Sequence, residues 1–361
     1  MSLTDIMVLQ AIFSASIVLF EFPSGYLADR VGYRTAMLTG ASFWVAGWLL
    51  YAQAASFAAV AAVEVVLGAG SAFVSGADRA LLWVSLESAG RAGEYRRWDG
   101  RLRATSQASE AASAALGGWL YSLAPRLPFW VQLPTAVMTL LSMTALRDVP
   151  RPPTERRAPH VVRALGIVRF TLWHHRRLRT AMAMSVALGL ASFVMVWLIQ
   201  PYMQARGIPP AWFGPIWAGS HLWLAAVSLG SARVVGAVGV RGALLGCVLL
   251  IPLGYAGLAA SGAAWGVLFY LGIMTLRGLQ APILVTVMQE DAPPEDRASV
   301  LSLAALLFRL SFVLVGPPVG ALVDRVGMDT ALGVLAVAFT AVSGWALAGF
   351  WRAHGARAAR A

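Results

Sequence analysis

The 361-residue chain contains no lysine; all 28 of its basic side chains are arginine. Beside the abundance of alanine and glycine, this reads as a compositional bias of the source genome and carries no function. There is one cysteine, Cys247, inside an apolar run. A single thiol forms no internal disulfide, and no zinc or thiol-redox spacing is present. Charge is scarce: Asp, Glu, Lys and Arg make up 12% of the residues, about half the share of a soluble globular domain. No Walker loop, serine elbow or His/Asp/Glu cluster occurs, which argues against an enzyme, and no metal or cofactor is expected. The first apolar segment lacks a basic leader and a small-residue cleavage site, so it reads as a span that stays rather than a signal peptide.

What is present is apolar. Hydrophobic residues make up 58% of the chain and the mean hydropathy is +0.69. A hydrocarbon core about 30 Å thick takes roughly 20 apolar residues of helix. With that ruler the sequence divides into eleven spans, at 5–27, 33–53, 57–86, 101–122, 127–147, 180–203, 211–235, 242–261, 263–288, 298–322 and 330–351. Backbone in lipid must satisfy its own hydrogen bonds, and the alternating ten-residue strands of a barrel are missing, so the expected class is an all-α membrane protein. A net charge of +11 could suggest a nucleic-acid partner, but the placement of the arginines argues otherwise. Twenty-two of them fall in one set of loops; the opposite loops hold only Arg126, Arg206 and Arg325, and Arg79, Arg277 and Arg309 lie inside spans. This one-sidedness is the positive-inside pattern. It makes the arginine-rich side cytoplasmic, places the C-terminus there, and fits a multi-pass protein of the cytoplasmic (inner) membrane that binds no nucleic acid.

The chain divides into residues 1–147 with five spans, 148–179 as a cytoplasmic linker, and 180–361 with six spans. The linker opens with "DVPRPPTERRAPH" (148–160), which cannot span. Residues 161–173, "VVRALGIVRFTLW", suit a helix lying on an anionic leaflet. His174 and His175 follow without a carboxylate or third ligand, and read as a basic linker tip rather than a metal pair. The two halves resemble each other: "GYRTAML" (32–38) matches "GVRGALL" (239–245). Two helical bundles joined by a linker form an architecture of secondary transporters.

The sequence resembles the major facilitator superfamily over essentially its whole length. The most specific part is "FEFPSGYLADRVGYR" (20–34), where Gly25, Asp29, Arg30, Gly32 and Arg34 match the signature loop between the family's second and third helices. Further support comes from "SGADRALLWVSL" (75–86), "EYRRWDGRLRATSQ" (94–107), "LGGWLYSLAPRLPF" (116–129), "APPEDRASVLSL" (292–303) and "GPPVGALVDRVG" (316–327). The resemblance implies two bundles of six helices, of which the first helix is missing before Met1 here. It also implies a gate latch at the signature loop, with Gly25 admitting a neighbouring helix and Gly32 permitting the tight turn. The implied activity is secondary active transport of a small solute by a monomer, coupled to protons. The alternatives are efflux of drugs or metabolites rather than uptake, or a transporter-derived sensor without flux. Family drug exporters carry Gly-Pro in their fifth helix, whereas "ASAALGGWL" has no proline and Gly316-Pro317 stands in the tenth span.

A charge at the bilayer centre costs several kcal/mol unless paired or hydrated, so each one is a functional candidate. Glu64, Ser71, Ser75, Asp78 and Ser85 are spaced as one polar stripe down the third span, and Ser106, Glu110, Ser113 and Gly117 as another on the fourth. The expectation is a cavity between the bundles with Glu64, Glu110, His221, Arg277 and Arg309 around it, a carboxylate or His carrying the proton and an arginine available for an anionic solute. Asp78 and Arg79 are read instead as a structural ion pair.

Overall fold

A computed structural model describes residues 1–148, 166–293 and 296–355; among them every regular element is helical. The main helices are α1 (Leu3–Val31), α2 (Tyr33–Gln53), α3 (Phe57–Val74), α4 (Ala77–Ser88), α5 (Tyr95–Leu123), α6 (Leu127–Thr144), α7 (Arg176–Ala205), α8 (Phe213–Ser261), α9 (Tyr270–Asp291), α10 (Arg297–Val326) and α11 (Met328–His354). Seven described helical stretches are long and apolar enough to cross a membrane: Leu3–Ala28, Phe57–Ser88, Arg176–Ala205, Pro210–Ser261, Ala264–Asp291, Arg297–Val326 and Met328–His354. Of the expected spans, 33–53, 101–122 and 127–147 fall outside these seven, and 211–235 and 242–261 lie in one continuous stretch. The α5 sequence shows why for one of them, since Arg101, Arg103 and Glu110 stand in that span beside Thr105, Ser106, Gln107, Ser109 and Ser113.

The chain forms two compact units, one of Met1–Thr154 with Pro210–Pro215 and Val313–Gly320, the other of the remainder. In the first unit α1, α2 and α3 pack together and α6 lies against α2. Small residues set this packing. A Cβ at Gly40 would come within 2.7 Å of the Gly70 carbonyl oxygen, and one at Gly70 within 2.9 Å of the Gly40 carbonyl. Apolar helices in lipid gain little from burial against each other, so close backbone approach supplies the association through dispersion. Ser2 opens α1 with a capping box, its hydroxyl accepting from Asp5 N–H and its own N–H donating to Asp5.

One expectation is corrected here. The stripe from Glu64 to Ser85 presumed one straight helix, but the third span breaks at Gly76 (φ 87°, ψ −37°), between Val74 and Ala77. Glu64 and Ser71 keep a common face on α3, whereas Asp78 and Ser85 follow a new helix axis. A similar break separates the two parts of α8 at Gly239 (φ 71°).

The second unit is built on α7, which packs against α9 and α11. Tyrosines on this scaffold tie helices together: Tyr255 Oη donates to Ala191 O at 2.7 Å, and Tyr202 Oη to Leu258 O at 3.2 Å. Of the expected linker helix, 161–165 lie outside the described residues; 166–169 are helical and Phe170–His174 form a π turn.

Candidate functional site

The signature loop joins α1 to α2. Gly32 has φ 114° and ψ 155°, a backbone open to glycine and strained for other residues. The N–H groups of the first α2 turn have no intrahelical acceptor. Asp148, just past α6, supplies one: its Oδ1 accepts from the Arg34 N–H at 3.0 Å. The Arg34 guanidinium donates to Thr144 O at 2.8 Å. Arg30 lies over the Tyr26 ring, 5.2 Å from its centroid. The Asp29 side chain lies outside the described residues. A Cβ at Gly25 would meet nothing within 4 Å among the described residues.

The first unit also holds a cavity of about 340 Å³, within the range of small-ligand pockets. From α1 it is lined by Gln10 and Phe13, and from α2 by Trp44, Trp48 and Tyr51. The α3 helix contributes Glu64, Leu67 and Ser71, and α6 contributes Phe129. Glu64 is only 5% exposed, and it shares the cavity wall with Tyr51. Tyr51 is itself held in place, stacked on Phe129 at 4.8 Å and 18° and tilted against Trp48 at 5.7 Å. Trp44 Nε1 donates to the Ser71 hydroxyl at 3.4 Å. The Gly40–Gly70 approach places these groups together, because it seats the α2 face bearing residues 44, 48 and 51 against the α3 face bearing 64, 67 and 71.

None of the other four charged candidates lines this first-unit cavity. Glu110 lies on the exposed face of α5. His221, Arg277 and Arg309 belong to the second unit. His221 packs on Trp217 with centroids 4.5 Å apart, its Nδ1 3.0 Å from Trp217 O. Arg277 lies 5.9 Å from the centroid of Phe193, which meets Phe308 and Phe312 edge-on. The Asp78–Arg79 pair is also corrected. The Arg79 guanidinium faces Asp99, Nε to Oδ1 at 3.7 Å. Among the described residues Asp78 accepts only the Arg79 backbone N–H, at 2.7 Å, because successive helical side chains point in different directions.

Sequence reasoning missed the aromatic wall. Its signal was legible: Trp44, Trp48 and Tyr51 recur at i, i+4 and i+7, one helical face. It also missed a cluster in the second unit, where Asp291 meets Arg177 at 3.3 Å and His354 Nε2 at 3.1 Å. These come from the ends of three helices, 63 residues apart in the case of Asp291 and His354, and no spacing rule links them.

The described residues form a multi-pass helical scaffold, without a strand, that holds an aromatic-walled cavity in the first unit. The sequence profile of the Major Facilitator Superfamily matches residues 1–316, and the chain belongs to that family. It is 25% identical over 304 residues to the uncharacterised MFS-type transporter YceJ of Bacillus subtilis (strain 168), covering 79% of this chain and 72% of that protein. The fold is shared with the solved nucleoside transporter NupG, at a TM-score of 0.72 and 14% identity over 97% of this chain and 91% of that one. It is shared too with a D-xylose–proton symporter, at 0.74 and 13% over 97% and 87%. A POT family transporter in complex with a thioalcohol-conjugated peptide matches at 0.74 and 13% over 98% and 89%.

Proposed function

We propose that this protein moves a small solute across the cytoplasmic membrane by alternating access, coupled to protons, with eleven crossing helices and a cytoplasmic C-terminus. Family membership supports the transport reading. The observation that carries the site is Glu64: a buried carboxylate in the aromatic wall of a cavity of solute size. An acidic group inside a membrane bundle is costly without a partner. A proton is one such partner, and Glu64 is therefore read as the group that carries it. The signature loop, with Arg34 tied to the end of α6, is read as a gate element.

The test is reconstitution of the full chain into vesicles containing a pH-sensitive dye. Nucleosides, dipeptides and D-xylose, suggested by the structural neighbours, are the first solutes, followed by amines. Solute-dependent proton movement that disappears in Glu64→Gln is the expected result. Solute binding without flux would support a sensor, and flux unaffected by Glu64→Gln would remove Glu64 from the coupling role.

A further inference from the structure

The walls of the first-unit cavity have a one-sided charge character. Among the described residues that line it, Glu64 is the one carboxylic acid and none is basic. An anionic solute would meet a carboxylate and the negative faces of aromatic rings with nothing to balance its charge. Five aromatic side chains line the space: Phe13, Trp44, Trp48, Tyr51 and Phe129. Aromatic faces attract cations, tryptophan most strongly, and the attraction grows where water is excluded. Trp44 and Tyr51 are fixed in orientation by Ser71 and Phe129, so the rings are ordered before any solute arrives. The volume of about 340 Å³ admits a body of one or two rings.

We infer that this cavity binds an organic cation, a quaternary ammonium or protonated amine on an aromatic or alkyl body, with Glu64 as its counter-charge and Trp44, Trp48 and Tyr51 as its aromatic cage. The assignment rests on the transport reading above only for its place in a transport cycle; the recognition itself is a matter of equilibrium binding. Gln10, with a carbonyl oxygen to accept from a protonated amine, would favour such amines over fully alkylated ones.

The experiment uses purified full-length protein and radiolabelled phenethyltrimethylammonium. Competitors are its neutral carbon isostere and 3-phenylpropanoate, which share the phenyl group and differ in charge. Saturable binding is expected, displaced at least about tenfold less effectively by the neutral and anionic competitors. Glu64→Gln and Trp48→Leu should each weaken binding about tenfold while eluting as the wild type does on size exclusion. Absence of saturable binding, displacement by the anion or neutral isostere as strong as by the cation, or unchanged affinity in both folded variants would overturn the inference. The competitor series needs no variant, so misfolding of either one leaves the test intact. Because binding is read without flux, a cation that binds but does not cross overturns the transport reading alone. Solute-driven proton flux without cation binding overturns this inference alone.

Discussion

The carboxylate of Asp148 caps helix α2 from 114 residues away, accepting the Arg34 backbone N–H at 3.0 Å. An acid at a helix N-terminus satisfies an orphan donor and complements the helix dipole. Here that acid arrives from the far end of the same bundle, so the cap also closes the bundle on itself. Asp148→Ala is expected to lower the stability of purified protein by about 1 kcal/mol, read as a lower melting temperature in detergent.

Gly32 and Asp148 should be coupled. A Cβ on Gly32 would come within 2.5 Å of Asp148 Oδ2 and would sit on a backbone at φ 114°. Gly32→Ala should therefore cost more than Asp148→Ala. In the double variant the clash disappears and the backbone strain and the lost cap remain, so the combined loss should be smaller than the sum of the two single losses. Strict additivity in a melting-temperature cycle would show that the contact contributes nothing.

The α2–α3 seam has no room. Gly40→Val should clash with the Gly70 carbonyl and with Val74 and Phe73, and cost about 1–3 kcal/mol as an overpacked contact. Gly25→Val, at a position with open space around it, is the matched control and should leave the yield of monodisperse protein unchanged. Fluorescence-detected size exclusion after heating separates the two.

The Asp291 cluster predicts asymmetric losses. Asp291 is buried with Arg177 and His354 as its partners. Asp291→Ala leaves a positive guanidinium without its carboxylate and is expected to destabilise by about 3 kcal/mol. His354→Phe keeps the ring stacked near Phe350 and the Arg177–Asp291 pair, and should cost much less. Equal melting temperatures for the two variants would show that the cluster is not an interdependent unit.

Glu64 and Glu110 are both candidates from the sequence, and their surroundings differ. Glu64 is enclosed by aromatic side chains, and Glu110 is on an exposed face. Glu64→Gln should reduce solute-driven proton flux by at least about tenfold, the loss expected on removing a proton-transfer group. Glu110→Gln should fall well short of that. Initial rates in reconstituted vesicles decide, and the reverse order would move the site to α5.

Much of this protein follows from composition. Sparse charge, long apolar runs and one-sided arginines require membrane helices, because unpaired backbone in lipid is too costly. The loop at 20–34 was legible for the same reason: glycine, aspartate and arginine have little cause to interrupt an apolar run except at a turn. Individual polar groups were legible as well, since Glu64 stands out in any apolar helix. What they face was not. Spacing along one helix places Glu64 with Ser71, but only the Gly40–Gly70 contact brings Trp44, Trp48 and Tyr51 opposite them. Only Gly76, by breaking the helix, removes Asp78 and Ser85 from that face. Asp148 looked like the first residue of a linker and turned out to cap a helix near the other end of the bundle. Periodicity is a property of one helix and can be read along the chain. The packing of one helix on another depends on where two backbones can approach, and that was decided by glycines whose partners lie about thirty residues away.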